Sequence, residues 1–199
     1  MRLRIMARRT KSTKSWCMVV TAIVMAVPQF ALRDTEGTVH RQDDWSKATA
    51  IVIFFTTTDC PLSNGYVPEM NRVRKDYSGR GVAFYAVHTD TTIAEAEVRR
   101  HAREFGFSFP VLLDPQQFLV RLTGATATPE VAVLSRSGKV LYLGRIDNRV
   151  EDFDKRRSVV TESDLRNALD AVLAGKSVPQ ATTPVIGCGI NFVTQEKKR

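Results

Sequence analysis

Cysteine is scarce in this chain, which has only Cys17, Cys60 and Cys188 among its 199 residues. No two of them are spaced as C-x-x-C, so the sequence has neither the usual local dithiol nor the C-x-x-C-H attachment motif of a c-type haem. The three histidines also share no ligand spacing. We therefore expect no metal and no other cofactor.

A basic face on the folded domain is also missing, although the net charge is +8. Residues 1–14 contain six basic side chains and no acid, and residues 196–199 add a further net charge of +2. The segment between these two ends is neutral. Since nucleic-acid binding depends on a basic surface of the folded domain, we expect no nucleic-acid partner.

The chain begins with a basic segment and a short apolar one. The apolar segment, from Trp16 to Val27, is shorter than the ~20 residues that span a bilayer. Val24 and Ala26 are small residues suited to cleavage after Ala26. We therefore predict that residues 1–26 are a signal peptide, or alternatively a membrane anchor that tethers the chain through residues 15–27. Either reading predicts export to the periplasm or cell envelope, where cysteine pairs persist as disulfides.

Strand and helix patterns alternate over residues 28–175, ahead of a polar C-terminal tail, residues 176–199, that contains Cys188. The segment 49–58 is apolar and β-branched, as in a strand buried on both faces. The other predicted elements are a hairpin over 30–45, a helix over 61–77 kinked at Pro68, strands over 81–90 and 109–114, helices over 92–105 and 116–124, a hairpin over 130–147, and a last helix from a cap at Thr161 to Gly175. This order predicts an α/β fold of three layers, a central mixed sheet flanked by helices.

Cys60 follows the buried strand, and Pro61 then begins a helix. A thiolate at a helix N-terminus faces free backbone N–H groups and the positive end of the helix dipole, which stabilise it. Asp59 opposes this effect through its negative charge. Cys60 is therefore the predicted nucleophile, and a buried, inert cysteine is the alternative.

Three segments together resemble the thioredoxin-like fold, in its redoxin and AhpC/TSA branch: "FFTTTDCPLS", "GATATPEVAVLSRSGKVLYLGRID" and "FALRDTEGTVH". That branch includes exported thiol-disulfide oxidoreductases and peroxiredoxin-like proteins. The resemblance implies a cis peptide bond at Thr128-Pro129, opposite the cysteine, with the Thr128 backbone open to an incoming peptide or thiol. It also implies substrate contacts at Pro61, Ser63 and Thr128. Ser63 stands where the second cysteine of the family motif would be, so local resolution is lost.

The resemblance leaves the activity open between peroxide reduction and disulfide exchange. Thr57 matches the peroxide motif, but Ile53 stands where that motif has proline. Arg145 is the candidate cation to steady the thiolate. Cys188 lies in a loose tail between two glycines, where the backbone is free to adapt, and the tail is long enough to fold back to the active site. Cys188 is therefore predicted to resolve oxidised Cys60 or to pair with a thiol of another protein.

The expected partners are protein thiols or disulfides, or a peroxide, together with a thiol reductant. A non-catalytic binding or assembly module of the cell envelope is the alternative function, favoured by Asp59, Ser63 and an uncleaved anchor.

Overall fold

The computed structural model describes residues 30–194. The predicted signal peptide or anchor over residues 1–26 therefore lies outside the described residues, as does the whole tether segment, residues 15–27. The strands are β1 (Ala31–Arg33), β2 (Val39–Arg41), β3 (Ala50–Thr56), β4 (Val82–His88), β5 (Val111–Leu113), β6 (Ala127–Thr128), β7 (Glu130–Leu134), β8 (Val140–Gly144), β9 (Val150–Asp152), β10 (Lys155–Arg156) and β11 (Cys188–Gly189). The helices are α1 (Pro61–Tyr77), α2 (Glu95–Glu104), α3 (Phe118–Thr123) and α4 (Asp164–Leu173), with short 3-10 turns at Gln42–Lys47 and Ser78–Arg80.

A five-stranded mixed sheet, in the order β5-β4-β3-β7-β8, forms the centre of the domain. β3, β4 and β5 are parallel, whereas β7 is antiparallel to β3 and to β8. All seven residues of β3 are buried, as the continuous apolar pattern predicts for a strand covered on both faces. The predicted α/β fold with a central mixed sheet is confirmed.

Two apolar cores lie on opposite faces of this sheet. Because side chains alternate along a strand, Val52 and Phe54 of β3 point to one core and Ile51, Ile53 and Phe55 to the other. Helices α1, α2 and α4 contribute to the first core, and α3 contributes to the second together with Trp45 and the N-terminal hairpin β1–β2. β3 ends four residues before Cys60 in the sequence. Because both faces of β3 are packed against a core, the start of the turn that leads to Cys60 is held in place.

α1 runs through Pro68 as one helix, and the cap of one other helix differs from the sequence prediction. α4 begins at Asp164 with Ser163 at its cap, so the predicted cap at Thr161 is wrong. The Thr161 hydroxyl instead accepts a hydrogen bond from the Asn148 side chain (2.7 Å), which holds it away from the helix.

Within residues 30–194, no helix is long and apolar enough to cross a membrane.

Candidate active site

Cys60 is the N-cap residue of α1, with Pro61 in the first helical position. Its extended backbone (φ −87°, ψ 107°) turns the side chain back over the first turn, where the Ser63 N–H donates to the sulfur at 3.4 Å. The sulfur therefore lies at the positive end of the helix dipole and takes one of the N–H groups that the helix leaves free. This local geometry suits a thiolate, although the Cys60 side chain is only 1% exposed.

Ser63 occupies the first turn of α1 and is fully buried. Its hydroxyl oxygen has no hydrogen-bond partner among residues 30–194, whereas its N–H is directed to the Cys60 sulfur. Of the two groups that Ser63 could offer to a thiolate, the structure therefore provides the backbone one. Pro61, at the start of the same turn, is exposed beside Cys60.

The peptide bond between Thr128 and Pro129 is cis, which confirms the prediction. It lies opposite Cys60, whose thiol donates to the Thr128 carbonyl oxygen at 3.3 Å. The buried Glu130 carboxylate accepts hydrogen bonds from the N–H groups of Thr126 and Ala127, at 2.7 and 3.2 Å, and so holds the chain that leads into the cis bond.

Cys188 lies in β11, which pairs antiparallel with β6, and its register partner is Thr128. Both cysteines therefore contact the same residue. Burial raises the pKa of the Cys188 thiol, and its hydrogen bond to Cys60 and the negative charges of Cys60 and Asp59 raise it further. Both residues are free cysteines in this structure. The structure thus brings Cys188 to Cys60, while its resolving role stays a prediction.

The C-terminal segment is not the loose tail that the glycines around Cys188 suggested. We call residues 181–193 the strap. Its first end pairs with β8, where Leu143 and the strap exchange backbone hydrogen bonds through Ala181 and Thr183. Beyond Cys188, the Ile190 N–H donates to the Thr126 carbonyl at 2.9 Å. The expectation of a freely adapting tail is therefore wrong, because both sides of Cys188 are fixed to the domain.

Thr57 and Arg145, the two residues proposed for peroxide chemistry, have other partners. The Thr57 hydroxyl donates to the Asp59 carboxylate at 2.9 Å. The Arg145 guanidinium pairs with Asp164 at 2.8 Å and with Glu162, and within residues 30–194 it makes no hydrogen bond to the Cys60 sulfur. Arg145 does line, with Pro129 and the strap residues 184–186, a small cavity of about 80 Å³.

Two features of the site were missed in the sequence. The Asn64 amide donates to the Thr58 carbonyl (2.9 Å), and its oxygen pairs with the His101 ring (2.8 Å), which ties the active-site turn to α2. Gly187 lies against the cis bond, where an added Cβ would collide with the Thr128 carbonyl. The run "GCG" is a sequence signal for this close backbone approach, which glycine permits as readily as it permits flexibility. No group of three or more metal-ligating side chains occurs among residues 30–194.

Comparison with known proteins defines the class. The family model described as Redoxin matches residues 24–169, and the chain belongs to this family. The thiol-disulfide oxidoreductase ResA of Geobacillus thermodenitrificans is 29% identical over 119 residues, which are 60% of this chain and 67% of that protein. The chain thus matches about two thirds of the length of this relative.

Two solved structures are also similar. An uncharacterised conserved protein of Geobacillus kaustophilus has a TM-score of 0.71 and 31% identity, covering 85% of this chain and 91% of its own. A hypothetical protein of Sinorhizobium meliloti has the same TM-score and 28% identity, with coverages of 84% and 93%. A putative thioredoxin of Neisseria meningitidis has a TM-score of 0.57 and 20% identity, covering 74% of this chain and 89% of its own, so the predicted thioredoxin-like fold is confirmed. The relatives named as thiol-disulfide oxidoreductases bear out the predicted class, a thiol-dependent oxidoreductase.

Proposed function

We propose that this thiol oxidoreductase exchanges disulfides through Cys60 and Cys188, with Cys60 as the nucleophile and Cys188 as its resolving thiol. The observation that carries the proposal is the shared contact at Thr128. The Cys60 thiol donates to the Thr128 carbonyl, and Cys188 is the strand partner of Thr128. The pair replaces, across two distant segments, the dithiol that Ser63 makes impossible within α1.

The reaction balances as two successive exchanges. The Cys60 thiolate attacks one sulfur of a substrate disulfide, forms a mixed disulfide, and releases the other sulfur as a thiolate that takes up a proton. The Cys188 sulfur then attacks Cys60 in the mixed disulfide, passes its proton to the departing substrate thiolate, and forms the Cys60–Cys188 bond. The substrate is reduced to two thiols, the protein is oxidised by two electrons, and an external thiol reductant must restore it.

Several contacts favour disulfide exchange over peroxide reduction. Ile53 stands in place of the proline of the peroxide motif, the Thr57 hydroxyl is bonded to Asp59, and the Arg145 guanidinium is held by two carboxylates. None of these side chains is therefore free to bind a peroxide beside Cys60 without rearrangement.

The cellular setting is part of the proposal. A basic and then apolar N-terminus supports export, with tethering through residues 15–27 as the alternative to cleavage. Outside the cytosol, a Cys60–Cys188 disulfide would persist until a dedicated reductant removes it. The proposed partners are therefore a protein disulfide and a thiol reductant in the periplasm or cell envelope.

The test uses the Cys17→Ser chain as the parent, so that only two thiols remain. We expect it to catalyse the reduction of insulin by dithiothreitol, and we expect Cys60→Ser in this background to reduce the rate to that of dithiothreitol alone. Reduced, freed of dithiothreitol and then mixed with insulin, the Cys188→Ser variant should accumulate a mixed disulfide on Cys60, because the resolving sulfur is gone and no other reductant is present; intact-mass analysis will detect it.

Two results would contradict the proposal. If Cys60→Ser retains the parent rate, Cys60 is not the nucleophile. If neither thiol of the parent reacts with insulin, a model disulfide or hydrogen peroxide, the chain is the non-catalytic binding module. A faster reaction with hydrogen peroxide than with either disulfide would instead favour the peroxide reading.

A further inference from the structure

The two sulfurs of the site differ in their access to solvent. Cys60 is only 1% exposed, whereas Cys188 is only partly buried. The strap crosses beside Cys60 at Thr128, and Cys188 is one of its residues. An external thiol therefore meets Cys188 first.

The strap also occupies the short sheet edge beside Cys60. Both residues of β6 are paired with Cys188 and Gly189, and the Ile190 N–H donates a hydrogen bond to the Thr126 carbonyl. An extended peptide that docks by adding a strand needs the same backbone groups. Gly187 also lies directly on the Thr128 carbonyl. A partner's chain cannot pair at Thr128 while the strap is in place.

Side-chain contacts on both sides of Cys188 fix the strap. The buried Thr183 hydroxyl pairs with the Tyr142 hydroxyl at 2.7 Å and accepts the Arg145 N–H at 3.0 Å. On the other side, the buried Gln117 amide donates to the Asn191 carbonyl at 2.7 Å and accepts the Val193 N–H at 2.8 Å. Cys188 is thus held between two anchors rather than on a free end.

The electrostatic surroundings of the two sulfurs also favour attack of an external thiol at Cys188. When a disulfide is cleaved, the sulfur that leaves more readily is the one whose thiolate is better stabilised. Cys60 lies at the helix N-terminus with the Ser63 N–H directed to it. Burial and the neighbouring Cys60 raise the pKa of the Cys188 thiol. Attack at Cys188, which expels Cys60, therefore has the better leaving group.

We infer that the strap covers the peptide-docking edge at Thr128 and makes Cys188, rather than Cys60, the sulfur at which a thiol reductant attacks the Cys60–Cys188 disulfide. The inference rests on the proposed function. The reductant thiolate forms a bond with the Cys188 sulfur, the Cys60–Cys188 bond breaks, and its electron pair leaves on Cys60, beside the Ser63 N–H. A second reductant thiol then attacks the reductant's sulfur in this mixed disulfide. Cys188 leaves as a thiolate and takes up a proton.

The test starts from the oxidised Cys17→Ser chain, whose bridge is first verified by mass. It is exposed briefly to glutathione, quenched with N-ethylmaleimide, and mapped by peptide mass spectrometry. We expect glutathione on Cys188 and maleimide on Cys60, in an excess over the opposite pattern of about tenfold or more, which corresponds to a barrier difference of ~1.4 kcal/mol. Glutathione mainly on Cys60 would overturn the inference. Absence of the initial bridge would instead refute the proposed pair.

The two glycines around Cys188 provide a matched pair of variants. An added Cβ collides with the Thr128 carbonyl at Gly187 but meets no atom within 4 Å at Gly189. In the reduced protein we expect iodoacetamide to label Cys60 slowly in the parent and in Gly189→Ala, and faster in Gly187→Ala, whose strap must shift. Equal labelling of Cys60 in all three proteins would show that the strap does not cover it and would overturn the inference.

Discussion

Cys60 and Cys188 meet at Thr128 but reach it by opposite routes. Cys60 is placed by its own neighbours, because the buried strand β3 ends just before it and α1 begins just after it. Cys188 has no helix or long strand around it, and its position depends on pairing with β6 and on anchors at β8 and Gln117. The proposed nucleophile thus follows a strand of the central sheet, whereas its predicted partner lies on the strap.

Because Cys60 and Cys188 are held by different elements, the two residues are expected to differ in mobility. β3 is fully buried at the centre of the sheet, so displacing the strand that leads to Cys60 costs a free energy close to that of global unfolding. β11 is a two-residue strand on a two-residue partner, and several of its neighbours are exposed. Such a segment can open locally at a lower free-energy cost than global unfolding. The strap is therefore the element that would move during a catalytic cycle.

The largest effect is expected when Cys60 is given a second thiol within its own helix. Ser63→Cys restores a C-x-x-C spacing in a fully buried position whose hydroxyl has no hydrogen-bond partner within residues 30–194, and cysteine is well tolerated in such positions. In the Cys17→Ser, Cys188→Ser background, we expect Ser63→Cys to resolve the mixed disulfide on Cys60 and to restore insulin reduction. Turnover assays and intact mass will measure both effects.

Ser63→Ala in the same background is the matched control, because it also removes the hydroxyl but adds no thiol. We expect it to keep the mixed disulfide trapped. A Ser63→Cys variant that folds, as judged by circular dichroism, yet keeps the substrate attached to Cys60 would contradict the view that only the position of the second thiol separates this site from a local dithiol.

The surroundings of Cys60 that come from adjacent residues were predictable from the sequence. The contact between Cys60, Thr128 and the strap, which joins residues far apart in the chain, was not. The apolar run before Cys60 and the proline after it specify a strand and a helix start, so the environment of Cys60 follows from adjacent residues. Thr128-Pro129 was assigned through family resemblance alone. The position of the strap could not be predicted from neighbouring residues, because Gly187 and Gly189 by themselves indicate a flexible backbone. Only the contact with the Thr128 carbonyl explains why residue 187 is a glycine.

A second prediction separates global stability from strap closure. Phe54→Ala removes a fully buried ring at the centre of β3 and should lower the free energy of unfolding by about 3–5 kcal/mol. Ile190→Ala empties a peripheral site at the end of the strap and should cost about 2 kcal/mol. Because Cys60 is covered by the strap, we expect Ile190→Ala to speed iodoacetamide labelling of Cys60 more than Phe54→Ala does.

Urea unfolding gives the two stabilities, and timed labelling under native conditions gives the two rates. Val193→Ala serves as the control for a strap residue that is already exposed, and it should change neither quantity measurably. If the labelling rates follow the order of global stability instead, Cys60 becomes accessible only through unfolding, and the strap is not an independent element.

The smallest expected effect concerns how Cys60 acts on the titration of Cys188. Burial, the hydrogen bond to Cys60 and the charge of Cys60 all raise the pKa of the Cys188 thiol, so that less thiolate is present at a given pH. Cys60→Ser removes the charge and the thiolate acceptor but leaves the burial. We therefore expect the pH profile of Cys188 alkylation, followed by peptide mass spectrometry, to shift to lower pH in Cys60→Ser than in the reduced parent. Val193→Ala, which changes an exposed strap residue and neither Cys60 nor Asp59, should leave the profile in place. An unshifted profile in Cys60→Ser would mean that the two sulfurs do not interact in solution, and the strap would then hold Cys188 near Thr128 without coupling it to the nucleophile.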